Sequence, residues 1–550
     1  MVGTIYSLVP ALLTILLVIL TRRVLLSLSV GAISAAIILT SFNFIESGSI
    51  LFSTMTGLIF EEGGLYGFLN EWYISIIFFL IALGIITAYI VLSGGAAAFT
   101  SAIIKRVKSR EGVQYTSAIL GILIFVDDYF NALVVGNVSK PLAQQQNISR
   151  ARLAYIVDST SAPICVISPI SSWATGIMGS MSVILVGAGV SYSAFSAFLM
   201  TIPYHFYVIA SIILVFITIR YNLNLGMMKK YEQDALNGND SSIVSSEVVV
   251  EGHGGDIQST KGSVWDLLLP ILTLIVVTVS TMAYTGIQGA LATTDADFNF
   301  FFTILDNIDL PTSLRIGGGL ALVVSMLMAW RHVRNGEVST QQYRKALVSG
   351  AQSMFGAILI LILAWTICDL VGALDAGGYL ASVITNANIN PNFIPVVMFL
   401  VASFMAFSTG TSWGSFGILL PIAGSVAAAI DVNLMIPVMA AVLSGAIFGD
   451  HASPISDTTL LSATGSGCDL GAHFNSQLPY ALLSASIAAL GYIAFGITGN
   501  LFISYIVIGL AFVGVILYAS RKRVTQASIE INLVDEQASQ ASTNQTIESN

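Results

Sequence analysis

Residues 125–136 read FVDDYFNALVVG, and residues 407–421 read FSTGTSWGSFGILLP. Each stretch lies between two further landmarks that recur in the same order. A glycine pair stands ahead (Gly94–Gly95 and Gly377–Gly378), and the tetrapeptide Ser-Pro-Ile-Ser stands behind (168–171 and 453–456). A lone SPIS carries little information. A pair of them, set in matching landmarks at near-constant separation, reads as an internal repeat of the kind found in secondary transporters.

The solvent around the repeat follows from composition. With 55% hydrophobic and 9% charged residues over 550 positions, the chain falls far short of the roughly 25% charged residues of a soluble protein. Apolar runs at 4–20, 24–42, 72–92, 194–219, 264–286, 313–330, 346–374, 478–497 and 500–519 each approach the ~20 residues that cross a bilayer as a helix. Two longer runs, 153–187 and 434–470, are interrupted by polar residues. The first run has Arg22–Arg23 behind it and no basic residue ahead, the reverse of a cleaved signal peptide, so it is expected to stay as a membrane helix. The three cysteines (Cys165, Cys368, Cys468) are scattered and odd in number, which argues against a disulfide framework or a metal knuckle. The expected fold is an all-α polytopic membrane protein of about eleven transmembrane helices, with no nucleic-acid partner and the lipid bilayer as its surroundings.

Basic residues mark the cytoplasmic side. Arg22, Arg23, Lys105, Arg106, Lys108, Arg110, Arg220, Lys229, Lys230, Arg331, Arg334, Arg344, Lys345, Arg521, Lys522 and Arg523 fall in alternate loops. The intervening loops hold Glu46, Glu61, Glu62, Glu71, Asp295, Asp297, Asp306 and Asp309, with Arg315 the lone basic residue among them. The expected topology has an outside N-terminus and a cytoplasmic C-terminus in a bacterial inner membrane. The helix entering the first unit at 72 then runs inward and that entering the second at 346 runs outward, so the two units are inverted.

Segment 115–136 has basic residues on both sides, and its apolar arms of ten to twelve residues reach only about 15–18 Å. It is expected to be a re-entrant hairpin with Asp127, Asp128 and Asn131 near the tip. Segment 393–428 is its counterpart, with Ser408, Thr409, Thr411 and Ser412 at the tip. The SPIS motifs are expected to break helices 153–187 and 434–470, because proline removes a helix hydrogen bond and the flanking serines can satisfy freed backbone groups. Breaks of this kind expose hard oxygens that suit sodium. The expected organisation is residues 1–71 as N-terminal helices, 72–220 as the first repeat, and 221–263 as a flexible cytoplasmic loop. Linking helices follow at 264–345, the second repeat at 346–520, and a disordered tail at 521–550.

Buried carboxylates in a membrane suggest function. Asp127 and Asp128 form an adjacent pair that titrates as a unit, unless one of them merely caps the second arm of the hairpin. Asp158, in DSTSAPICVISPISSW, lies either on the cation path or in a pair with Arg152. Asp450, His451 and Asp457 flank the second SPIS, and Asp457 is the stronger ligand or proton carrier. His451 is a pH sensor or a satisfied hydrogen-bonding group. Asp369 is a relay or a surface residue, and His205 is read as packing. The cation and proton path is therefore assigned to Asp127, Asp128, Asn131, Asp158, Ser168, Ser171, Ser408, Thr409, Thr411, Asp450, Ser453, Ser456 and Asp457. Sodium itself is assigned to Asp128, Asn131, Thr409 and Asp457.

The stretches FVDDYFNALVVGNVSKPL, RARLAYIVDSTSAPICVISPISSW and GAIFGDHASPISDTTLLSATGSGCDLGAHFNSQLPYAL resemble signatures of the NhaC family of sodium/proton antiporters. The resemblance runs from about 70 to 520. It implies an ion-transporter fold with inverted repeats, a site formed by positions 128–131, 168–171, 408–411 and 453–457, and a homodimer. Sodium and protons are the implied partners, with sodium as the transported or coupling ion and no cofactor. Members also exchange malate for lactate or carry amino acids, so a small organic solute is the alternative cargo. No HExxH pair, nucleophile elbow or Walker loop is present, which leaves nothing for an intramembrane enzyme or a built-in ATP motor.

Overall fold

The computed structural model describes residues 1–21, 23–60, 70–104, 107, 109–190, 193–243, 261–292, 300–386 and 390–521. Residues 244–260 of the expected loop, the expected tail from 522 onward, and Arg22, Glu61, Glu62, Lys105, Arg106, Lys108, Asp295 and Asp297 lie outside the described residues. Among the described residues the regular structure is helical, with one isolated bridge between Ile243 and Cys468. A chain this apolar has little choice, since hydrocarbon offers no partner to backbone N–H and C=O groups, and a helix pairs nearly all of them within itself.

Among the described residues, ten helices are long and apolar enough to cross a membrane, or eleven if Ala194–Tyr204 and Phe206–Tyr221, bent by 53°, count as one. The protein is a multi-span membrane protein. Two expectations about length need correction. Val9–Thr21 and Val24–Leu39 have 13 and 16 residues, so they reach only about 20 and 24 Å and fall short of full spans. The arms of the first hairpin, Arg110–Leu123 and Asp128–Gln145, have 14 and 18 residues, longer than the ten to twelve expected. Those of the second, Ile394–Thr409 and Ser412–Ile430, have 16 and 19. The sequence reading trimmed the arms at polar residues that the helices absorb.

The element order recurs. A long helix (Glu71–Leu92, then Phe355–Ala373) leads to a short one (Gly95–Ile104, then Ala376–Asn386), then to the hairpin arms and a broken helix. The first broken helix runs as Arg150–Asp158, Ala162–Ile167 and Ser172–Gly187, the second as Met435–His451 and Asp457–Ser466. Both interruptions fall at SPIS. The first has an additional turn at 159–161 that its sequence, Ser-Thr-Ser, did not advertise as a break.

The halves pack crosswise. Asp457–Ser466, the end of the second broken helix, lies on Asp128–Gln145 of the first hairpin, while Ser172–Gly187 of the first broken helix lies on Ser412–Ile430 of the second hairpin. Glycine permits the first contact: a Cβ on Gly136 would stand 2.6 Å from the carbonyl carbon of Gly465. The tightest pairing, Ile394–Thr409 on Met435–His451, uses Gly445 and Gly449, whose Cβ positions lie 2.3 and 2.2 Å from the carbonyl oxygens of Phe399 and Ser403. Spacing of four puts both on one face, the small-residue route to close helix contact where no hydrophobic effect drives association.

Part of the expected flexible loop, residues 222–243, is folded onto the bundle. Its helix Met228–Leu236 buries Glu232, which accepts from Arg110 Nη2 (2.6 Å), Ser149 N (3.0 Å) and Ser149 Oγ (2.8 Å). Asp240 accepts from Arg150 N at 2.8 Å and Ser242 Oγ from Ala151 N at 3.1 Å, while Ser149 Oγ takes Arg152 N at 3.1 Å. All four donors at the start of Arg150–Asp158 are thereby satisfied, with two carboxylates at the positive end of the helix dipole. The carbonyl of Ser242 accepts from Asp469 N at 2.8 Å, and Ile243 bridges Cys468. This strap joins the first hairpin, the first broken helix and the end of the second.

Gly136→Ala forces backbone apart at the crosswise contact. The expected loss is about 1–3 kcal/mol, read as a lower melting temperature of the full chain in detergent. Gly187→Ala, where a Cβ meets nothing within 4 Å, is expected to leave it unchanged.

Candidate functional site

Four chain interruptions meet in the middle of the bundle, and side-chain oxygens cap the helices at three of them. At the first hairpin, Asp127 is the N-cap of the second arm: Phe130 N donates to its Oδ1 at 3.0 Å. Its other oxygen accepts from Ser172 Oγ at 2.9 Å, and Ser172 N donates to the Val126 carbonyl at 2.9 Å. The capping role weighed for Asp127 is thus the one it has, together with a tie to the first broken helix.

Asn131 Nδ2 donates to the carbonyls of Gly121 (2.6 Å), Ile124 (2.8 Å) and Thr160 (3.3 Å). It latches the end of the first arm, which would otherwise leave carbonyls unpaired. Its own Oδ1 is buried without a partner.

Asp128 opens the second arm, 1% exposed, and its Oδ2 has no hydrogen-bond partner. The indole Nε1 of Trp173, likewise without a bond of full hydrogen-bond geometry, stands near enough to Asp128 to act on it as a donor. Asp127, Asp457 and Asp450 all lie close enough to Asp128 for their charges to act on it.

At the second SPIS, Ser456 caps Asp457–Ser466 by accepting from Thr459 N at 3.1 Å, and it donates to Asp450 Oδ1 at 2.7 Å. Thr458 Oγ1 donates to Asp450 Oδ2, also at 2.7 Å. Asp457 Oδ2 accepts from the Tyr129 hydroxyl, which links the second broken helix to the first hairpin, and its Oδ1 accepts from Thr458 N at 3.0 Å. Ser453 Oγ donates to the Phe407 carbonyl at 2.8 Å and so fastens the break to the second hairpin.

At the first SPIS, Ser171 plays the part of Ser456. It accepts from Ala174 N at 3.0 Å and donates across the break to the Cys165 carbonyl at 2.6 Å.

The second hairpin turns at Gly410, whose φ of +70° is the left-handed conformation that glycine takes without strain. A Cβ there would meet the Ile455 carbonyl oxygen at 2.5 Å. Thr409 Oγ1 makes only long contacts, 3.4 Å to the Ala406 and Thr411 carbonyls and 3.5 Å to Ser415 Oγ. Ser412 Oγ reaches the Ala446 carbonyl at 3.2 Å. Trp173 and Trp413, with ring centroids 5.6 Å apart, stand between the two halves.

The structure therefore brings Asp127, Asp128, Asp450, Ser456 and Asp457 into one neighbourhood. Ser168 and Ser408 instead bond back into their own helices, to the Ile164 and Phe404 carbonyls at 2.7 and 2.8 Å. Asp158 does not pair with Arg152. Arg152 turns to Asn224 Oδ1 and lies 3.7 Å from Glu232, while Asp158 accepts from Ser462 Oγ at 3.0 Å and from Gln477 Nε2. Asp369 is exposed on its helix.

Sequence reasoning missed Tyr129, Ser172, Thr458, Ser462, His473 and Gln477. His473 and Gln477 had a signal, since polar residues four apart in an apolar helix share a face. Tyr129 sits beside the acidic pair, where an aromatic reads as packing. Among the described residues no three His, Cys, Asp or Glu side chains form a metal cage. The oxygens gathered here belong to carboxylates, amides and hydroxyls, the hard donors that suit a hard cation better than a soft one.

A model of the Na+/H+ antiporter family matches residues 164–497. An uncharacterized protein of Haemophilus influenzae is 38% identical over 522 residues, 95% of this chain and 96% of its own. The malate-2H(+)/Na(+)-lactate antiporter of Bacillus subtilis is 30% identical over 200 residues, 36% of this chain and 40% of its own length. An uncharacterized Na(+)/H(+) antiporter of Haemophilus influenzae is 35% identical over 143 residues, 26% of this chain and 30% of its own length.

Asn131→Ala leaves three carbonyls without their donor. The expected cost is about 2–4 kcal/mol, measured as a drop in melting temperature. Ser408→Ala, which removes a bond confined to one helix, is expected to melt with the parent protein.

Proposed function

The chain belongs to the Na+/H+ antiporter family, and from that membership we propose that it is a secondary transporter expelling sodium in exchange for protons. The observation that carries this reading is the buried, unpartnered Oδ2 of Asp128, in reach of the charges of Asp457 and Asp450. A carboxylate so placed costs several kcal/mol while ionised and alone. A proton removes the charge; a sodium ion compensates it. Either suffices, and each excludes the other. Asp128 and Asp457 supply the charge, with the free Oδ1 of Asn131 and the loosely held hydroxyl of Thr409 as neutral oxygens.

Tyr129 and Ser172 set the geometry. Tyr129 holds Asp457 toward the first hairpin, and Ser172 occupies Asp127 so that its neighbour is the one left open. Under one-for-one exchange each pH unit across the membrane supplies about 1.4 kcal/mol, enough to sustain a tenfold sodium gradient.

The positive-inside pattern supports a bacterial inner-membrane location with the N-terminus outside, and the family resemblance supports a homodimer of two inverted-repeat protomers. A second reading, sodium- or proton-coupled movement of an amino acid or small carboxylate, is favoured by the match to the Bacillus subtilis antiporter.

Full-length protein in liposomes with an internal pH dye separates the two readings. A sodium pulse alone is expected to move protons. A response that appears only after malate, lactate or an amino acid is added replaces the first reading with the second. Asp128→Asn is expected to abolish the sodium-evoked signal by at least tenfold, while the protein stays inserted and monodisperse. Exchange at the parent rate in that variant removes Asp128 from the mechanism.

A further inference from the structure

Asp158 is fully buried at the end of the first segment of its broken helix, and the side chains that meet it come from three other elements. Ser462, on Asp457–Ser466, donates to its Oδ1 at 3.0 Å. Gln477, on Leu470–Thr498, donates to its Oδ2, and on the same helix His473 Nε2 lies 3.5 Å from that oxygen. His451, which ends Met435–His451, is held by its carbonyl, which accepts from Gln477 Nε2 at 3.1 Å. Its Nδ1 lies 3.0 Å from the Tyr207 hydroxyl of Phe206–Tyr221.

Both imidazoles are at most 2% exposed. His451 Nε2, His473 Nδ1 and Gln477 Oε1 are buried with no hydrogen-bond partner, and the one neighbour of His473 Nε2 is the long contact to Asp158. Buried polar atoms are almost always paired, so this many unpaired ones around one carboxylate point to something that comes and goes.

The donor set says what. Sodium prefers hard oxygen ligands and gains little from imidazole. Imidazole beside a carboxylate is suited to holding a proton near neutral pH. We propose that Asp158, His473 and His451 form a second proton-binding centre, separate from the Asp128–Asp457 pair, so that more than one proton crosses for each sodium.

A proton arriving at His473 Nε2 turns a 3.5 Å contact into a charge-assisted hydrogen bond to Asp158. Its departure leaves a neutral imidazole and Asp158 still held by Ser462 and Gln477. The one bond made and broken is N–H, with the proton taken from water on one side of the membrane and returned to water on the other. The charged and titratable groups around the centre are Asp450 and Asp457 from the second broken helix, Tyr207 from its own helix, and Asp469 at the start of the helix that carries His473. The two aspartates belong to the sodium neighbourhood, so occupancy there and protonation here act on each other through charge.

This inference rests on the sodium/proton reading for its transport consequence, but its first test does not. Full-length protein labelled with 15N-histidine, with the His473 signal assigned by His473→Gln, reports ring protonation directly. The His473 ring is expected to carry a second proton at the acid end of a pH series and one at the alkaline end, and to hold the second less readily in Asp158→Asn. A ring that keeps one state throughout, in both proteins, overturns the proposal.

The second test is the balance point of exchange in liposomes with the membrane potential clamped at zero. At two protons per sodium, one pH unit is expected to hold a roughly hundredfold sodium gradient in the parent and a roughly tenfold one in His473→Gln. A parent that balances at tenfold, or a variant that balances with the parent, also overturns it. Should sodium move no protons in the parent, the family-based reading fails, and the labelled-histidine measurement still decides the centre.

Discussion

A helix interrupted within a bilayer has no water to complete its hydrogen bonds, and the rest of this protein is arranged around that constraint. Three of the four interruptions are closed by small polar side chains from within the chain, and the fourth, at the second hairpin, turns on Gly410. Asp127 caps the second arm of one hairpin, Asn131 latches the end of the first arm, and Ser171 and Ser456 play the same capping part at the two SPIS breaks. Once those bonds are made, few oxygens remain over. Asp128 Oδ2 and Asn131 Oδ1 are among them, and they lie beside each other in sequence terms, one turn apart on a single arm. The same residue types serve structure and chemistry, and position alone decides which.

Crosswise packing turns two similar units into one site. Because the end of each broken helix rests on the hairpin of the other unit, the Tyr129–Asp457 bond is a bond between halves. Neither half by itself carries all the carboxylates that gather there. Gly136 against Gly465 sets how near the halves approach on one side, and the Trp173–Trp413 contact fills the other. The asymmetry is chemical rather than architectural: the first hairpin brings two carboxylates to its tip and the second brings hydroxyls.

Much of this was legible in the sequence because membranes simplify the code. Long apolar runs, an alternation of basic loops and two SPIS tetrapeptides were enough for the helices, the repeat and both breaks. Arm lengths were misjudged since a helix in protein surroundings absorbs residues such as Gln114 and Ser117, which satisfy themselves against backbone carbonyls of the same helix. The donors to the carboxylates were hidden for another reason. Ser462, His473 and Gln477 lie some 300 residues beyond Asp158 in the chain, and no local pattern announces a contact of that range. Arg152 misled by proximity: six residues from Asp158, it faces the opposite way, toward Glu232.

The strap over residues 222–243 bears on how such a molecule could move. By supplying three of the four N-terminal donors of Arg150–Asp158 with acceptors, the fourth being capped by Ser149, and by tying that helix to Arg110 on one side and Asp469 on the other, it splints the ends of three site-forming elements into one block. Alternate exposure of the centre to the two aqueous compartments then cannot come from those ends sliding past one another. It must come from the splinted block rocking as a whole against the outer helices, or from local loosening on the far side of the bundle, where no such brace is seen among the described residues.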